Sequence, residues 1–112
     1  MKVYGIPNCG SVKKARVLLE EQGVAYEFID FKKAPPTTEL IQAWVDQAGL
    51  ELVLNKRGTT WRKLDDAQKA ETDSAKLISL MAAQPSLIKR PVIETGTALL
   101  VGFDADKILN SL

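Results

Sequence analysis

The sequence predicts an α/β fold: a mixed four-stranded sheet assembled from a β-α-β half and a β-β-α half, with a helical insertion between them. Three observations lead there. A short apolar strand passes through Pro7-Asn8-Cys9-Gly10 into an amphipathic helix and then a second strand, and a crossover of that length makes the two strands parallel. Two further β segments near the C-terminus are joined by Thr95-Gly96-Thr97, the loop length and residue types of a hairpin, and a helix follows. Residues from about 35 to 86 carry only helical spacing. All of this is expected in a single domain, 1–112, long enough to bury an apolar core without disulfides or a structural metal.

Each element follows from local chemistry. Residues 2–4 are the first strand, and the helix from about Gly10 to Gln22 puts Val12, Ala15, Leu18 and Leu19 on one face. Gly23 stops it. Val24 to Phe31 reads as the second strand, bounded by glycine on one side and Lys32-Lys33 on the other. Pro35-Pro36-Thr37 opens a helix with Thr37 as N-cap, Leu40, Ile41, Trp44, Val45 and Ala48 at helical spacing, and Gly49 as its end. A helical turn at Leu50 to Leu54 leads into a basic loop over residues 55–63 with Trp61 embedded in it. Helices are expected at 64–69 and 74–83, the latter capped by Asp73 or Ser74. Strands at 88–94 and 98–101 form the hairpin, and Asp104 caps a last helix with Phe103 and Ile108 placed as a hydrophobic staple.

That order is the thioredoxin-like plan. In it the turn after the first strand lies at the C-terminal edge of the parallel strands, where α/β proteins form ligand sites, and Arg90-Pro91 comes to the same edge.

Composition narrows the chemistry. Hydrophobic residues at 46% and charged residues at 26% describe a globular chain rather than a disordered one. A formal net charge of +1 gives no bulk attraction to nucleic acid or to an anionic membrane, so neither is expected as a partner despite the basic loop. No apolar run approaches the roughly 18 residues of a bilayer span. With no histidine, Cys-His catalysis and His-metal sites are excluded, and no metal site is predicted. A lone cysteine makes no internal disulfide, and the opening Met-Lys-Val-Tyr-Gly carries no apolar leader, which together predict a cytoplasmic location.

The one cysteine is the candidate nucleophile. Cys9 sits where a strand turns into a helix, so its sulfur meets unpaired N–H groups and the positive end of the helix dipole, with Lys13 and Lys14 adding charge of the same sense. Elsewhere a lone cysteine is usually a small buried apolar residue. The phosphatase spacing Cys-x5-Arg is not met: it lands on Ala15, and Arg16 lies roughly 10 Å along the helix axis. Arg16 is read as part of the solvated helix face and Trp44 as core, while Trp61 is either a binding platform or a loop anchor.

Three stretches together, Tyr4-Gly5-Ile6-Pro7-Asn8-Cys9, Leu54 to Arg62 and Pro85 to Val92, resemble the arsenate-reductase-like (ArsC/Spx) family, most closely its YffB-type branch, over essentially the whole chain. The resemblance implies a thioredoxin-like core with a helical insertion and an N-terminal redox cysteine. In its glutaredoxin-linked arsenate reductases that cysteine attacks arsenate and is released by glutathione. Carried over by position, Cys9 matches the nucleophile and Arg57 and Arg90 match two oxyanion-contacting arginines. A planar guanidinium offers two parallel donors to a carboxylate, phosphate or arsenate. Pro91, expected cis, would present backbone to an extended peptide such as glutathione, and Asn8 and Lys13 complete the expected binding set.

The departures are specific. The third arginine of the arsenate reductases has no counterpart in Leu100-Val101-Gly102-Phe103, and Val12 stands where Spx regulators often carry the second cysteine of Cys-x-x-Cys. An outside thiol must therefore resolve any oxidised form. The expected function is a glutathione-dependent monothiol oxidoreductase with no bound cofactor, glutathione as co-substrate and glutaredoxin as a further partner. Its alternatives are a glutaredoxin-linked arsenate reductase and an Spx-like regulator binding RNA polymerase.

Overall fold

The computed structural model describes all 112 residues. In chain order the elements are β1 (Lys2–Gly5), α1 (Gly10–Glu21), β2 (Glu27–Asp30), α2 (Thr38–Ala48), α3 (Leu50–Val53), α4 (Thr59–Arg62), α5 (Asp66–Lys69), α6 (Ser74–Ala83), β3 (Val92–Glu94), β4 (Leu99–Val101) and α7 (Ala105–Asn110). They fall into two compact units, residues 1–34 with 90–112, which hold the sheet, and residues 35–89, which are helical.

The sheet has the order β2-β1-β3-β4. β1 runs parallel to β2 and antiparallel to β3, and β3 and β4 form the hairpin, so the mixed four-stranded α/β sheet is present as predicted. Register sets its faces: Val3 lies beside Phe28 and Ile93, and Ile93 beside Leu100. This face packs on Ala15 and Leu19 of α1 and Ile108 of α7, all buried. Strand alternation thus supplies one apolar face and helical periodicity the stripe that covers it.

Gly5 is required by that packing. A Cβ there would lie 2.6 Å from Val12 Cγ2, closer than real side chains approach, so the absence of a side chain is what seats α1 against the end of β1. At the other end of α1, Gly23 takes φ +68, and the Val24 N–H bonds back to the Leu19 carbonyl at 3.0 Å. β2 spans only Glu27–Asp30 of the predicted 24–31, and Val24 belongs to the helix end rather than to the strand. Asp104 caps α7 by accepting from the Lys107 N–H at 3.1 Å, and Phe103 packs against the cluster containing Ile108, where the staple was expected.

In the helical unit Thr37 Oγ1 accepts from the Leu40 N–H at 3.1 Å, Ile41 and Trp44 are fully buried, and Gly49 ends α2 at φ +89. Asp73 caps α6 by accepting from the Lys76 N–H at 3.1 Å, and Leu77, Ile78 and Met81 face inward. Asp65 and Gln68 form a capping box, so the helix predicted from Leu64 starts only at Asp66. The predicted basic loop 55–63 contains a helical turn, α4, and Trp61 within it is half-buried with Lys56 Nζ 5.2 Å from its ring centroid.

One strand prediction is corrected. Residues 88–94 are not one strand: Ile88 bridges Leu54, and the Lys89 N–H bonds the Val53 carbonyl at 2.8 Å, both within the helical unit. Only Val92–Glu94 joins the sheet, because Pro91 has no N–H to continue a ladder. No helix is long and apolar enough to cross a membrane.

Candidate functional site

The site grows from the end of β1. After Gly5 the chain turns through Ile6 to Cys9, closed by the Cys9 N–H on the Ile6 carbonyl at 3.2 Å. Cys9 has extended backbone, φ −82 and ψ 128, and its carbonyl accepts the first helical bond, from the Lys13 N–H at 2.9 Å. It is therefore the N-cap of α1, as its position in the sequence implies. The sulfur makes no strict capping hydrogen bond, yet the Val12 and Ser11 N–H groups lie near enough to favour its anion.

Arg90 reaches the same sulfur from the far side of the chain. β3 pairs antiparallel to β1 with Val92 opposite Tyr4, so the residues just before Val92 come to the end of β1 where the Cys9 turn begins. The Arg90 guanidinium comes close enough to the Cys9 sulfur to favour its anion both as a donor and as a charge. The peptide bond between Arg90 and Pro91 is cis, and the Pro91 carbonyl accepts from the Gly102 N–H at 2.8 Å, which ties the start of β3 to the end of β4.

These groups set the thiol's ionisation. Partial burial by itself pushes the Cys9 thiol up and is the largest single influence. Together the Val12 N–H, the Arg90 hydrogen bond, the Ser11 N–H and the Arg90 charge outweigh it and hold the thiol below its ordinary value. The balance favours a thiolate in a half-exposed position, which is the arrangement a sulfur nucleophile needs.

The remaining predicted residues are placed as follows. Asn8 is exposed in the turn before the thiol. Lys13 and Lys14 are exposed on α1 and are not among the groups shifting the thiol, so the side-chain charge expected from them comes from Arg90 instead. Arg57 belongs to the helical unit; its N–H donates to Asn55 Oδ1 at 3.0 Å, and with Lys56, Lys89 and Glu51 it borders an open groove of about 580 Å³. The structure thus brings Cys9, Arg90 and Pro91 to one edge of the sheet unit.

Two arrangements escaped the sequence reading. Arg16 is not a solvated helix residue: its guanidinium stacks 4.0 Å from the Phe28 ring centroid and its Nε donates to the Tyr26 hydroxyl at 3.0 Å, while that hydroxyl donates to Glu20 Oε1 at 2.9 Å. Tyr4 is buried, stacks on Phe31 with ring centroids 6.4 Å apart, and donates to Glu94 Oε1 at 2.7 Å. Burial, that hydrogen bond and the nearby carboxylates push its hydroxyl far above the usual tyrosine range. Tyr4 is thus a fixed donor, and its strand alternation with Val3 was the only trace of this in the sequence.

Comparison with known proteins places this arrangement among relatives. The model of the ArsC family matches residues 4–111. A solved structure of a YffB protein superposes with a TM-score of 0.96 at 50% identity, covering 99% of this chain and 97% of its own. The solution structure of an arsenate reductase (ArsC) related protein from Brucella melitensis superposes with a TM-score of 0.76 at 42% identity, covering 95% and 88%. A Haemophilus influenzae protein is 36% identical over 102 residues, 91% of this chain and 90% of its own length. The global transcriptional regulator Spx of Streptococcus mutans is 28% identical over 104 residues, 91% of this chain and 75% of its own length.

Proposed function

The chain belongs to the ArsC family, and from that premise we propose that it is a glutathione-dependent monothiol oxidoreductase with Cys9 as its nucleophile. One observation carries the reading: the Arg90 guanidinium beside a thiol at a helix N-terminus, which together with the helix N–H groups makes the thiol ionise below its ordinary value. In the proposed step the Cys9 thiolate attacks one sulfur of oxidised glutathione. A Cys9–glutathione disulfide forms, the original S–S bond breaks, and the second glutathione leaves as a thiolate. No other cysteine exists in the chain to attack that disulfide, so an external thiol, free or on a glutaredoxin, completes the cycle.

Roles follow from chemistry. Arg90 favours the thiolate and offers its fork to a glutathione carboxylate, Arg57 offers a second cation to an anionic substrate, and Asn8, Lys13 and Pro91 border the approach to the sulfur. Reduced protein incubated with oxidised glutathione is expected to gain the mass of one glutathione, and Cys9→Ser protein none. A wild type that gains no mass sinks the proposal.

Arsenate reduction is the narrower alternative. The segment Leu100 to Phe103 supplies no third cation for a tetrahedral oxyanion, so arsenate is expected to oxidise the thiol more slowly than oxidised glutathione does. The Spx relatives favour a regulatory alternative, in which the protein binds RNA polymerase. Co-purification with polymerase that survives Cys9→Ser would select it over catalysis.

A further inference from the structure

We infer that the groove along α1 beside Phe103 docks a cysteine-bearing segment of a redox protein, apolar in its middle, acidic at the end nearest Cys9 and basic at the other. The inference rests on the thiol-exchange reading above and names the partner that resolves its disulfide. The groove measures about 380 Å³ and is bordered by Lys13, Lys14, Val17, Glu21 and Phe103, with walls that are mainly apolar. It starts one helical turn from Cys9, roughly 6 Å along the axis, and ends at Glu21, roughly 18 Å along it.

Three facts select this occupant. Val17 is 50% exposed, an aliphatic side chain left in water on the helix that presents the thiol. Lys13 and Lys14 stand at the Cys9 end and Glu21 at the other, and none of the three has an ion-pair partner in the fold, so the groove has a charge direction as well as an apolar floor. The chain has no second cysteine, so the resolving thiol has to arrive on another molecule, and a segment lying in this groove carries it to the sulfur. In the exchange, the partner's thiolate attacks the glutathione sulfur of the mixed disulfide. A partner–glutathione S–S bond forms, the Cys9–glutathione bond breaks, and Cys9 leaves as the thiolate that Arg90 and the α1 N–H groups favour.

The test loads Cys9 with 2-mercaptoethanol through hydroxyethyl disulfide, and the return of free Cys9 protein, as a peptide thiolate attacks the outer sulfur and Cys9 leaves, is read by mass. Two short peptides, each with one cysteine in a leucine-rich stretch, are compared: one with aspartates on the cysteine side and lysines at the far end, the other with those charges exchanged. The first is expected to free Cys9 about tenfold faster at low salt, and the advantage to shrink as salt rises. Val17→Asp, an exposed substitution, should bring the two peptides close to parity. Glu21→Lys should shift the preference toward a peptide acidic at both ends. The rate with 2-mercaptoethanol should be the same in all three proteins.

Equal peptide rates on the wild type, or an advantage that persists in Val17→Asp, overturns the inference. Loading does not involve glutathione, so failure of the glutathione mass gain would strike the function proposed above while leaving this comparison valid.

Discussion

Arg90 in the sheet unit and the groove cations of the helical unit hold their positive charge in opposite ways. In the sheet unit one guanidinium, Arg90, acts on one partly buried sulfur together with two backbone N–H groups. In the helical unit Lys56, Arg57 and Lys89 border an open groove with Glu51, and none of them is ion-paired. A charge at hydrogen-bond range of a half-buried group changes that group's ionisation directly and resists salt, whereas exposed charges act through a screened field. The first arrangement suits chemistry at a fixed atom, the second the recruitment of anions.

The largest effect that could break this contrast is at Arg90. Arg90→Ala should move the midpoint of Cys9 alkylation up toward the model thiol value of about 8.5 and slow iodoacetamide at pH 7 about tenfold. Arg57→Ala should leave that midpoint in place and weaken the reaction with oxidised glutathione about threefold, most at low salt. If Arg57→Ala moved the midpoint as far as Arg90→Ala, the contrast would be lost.

Packing sharpens it next. Gly5→Ala forces a contact between α1 and β1 and should cost about 1–3 kcal/mol in denaturant unfolding. Gly10→Ala, where a Cβ meets nothing within 4 Å, should be neutral or stabilise by up to about 1 kcal/mol. Equal costs at the two glycines would refute the close approach of Val12.

The smallest effect is the pH dependence of stability. The folded thiol titrates below the unfolded one, so the stability it contributes is fully present above the unfolded value of about 8.5 and is lost as pH falls through the folded value. Reduced wild type should therefore gain stability relative to Cys9→Ser as pH rises through that window. Parallel curves for the two proteins would mean that the helix end and Arg90 do not favour the anion.

Local hydrogen bonding made much of this readable in advance. Thr37, Asp73 and Asp104 cap helices where their side chains reach N–H groups three residues on, and Gly23 and Gly49 end helices where φ turns positive. Cys9 at a helix start belongs to the same class of inference. Arg16 was misread because its partners Tyr26 and Phe28 lie across the β2 turn, outside any helical spacing. Residues 88–94 were misread because Ile88 finds its partner at Leu54 rather than in the sheet.

The sequence by itself determined where the longer helices α1, α2 and α6 begin and end, which of their faces are apolar, and that one sulfur stands at a helix N-terminus, because each depends on groups a few residues apart. Only the tertiary structure decided which cation meets that sulfur. The antiparallel register that sets Val92 opposite Tyr4 carries Arg90 to Cys9, and a strand pairing between distant segments is fixed by the packing of the whole sheet rather than by either segment alone.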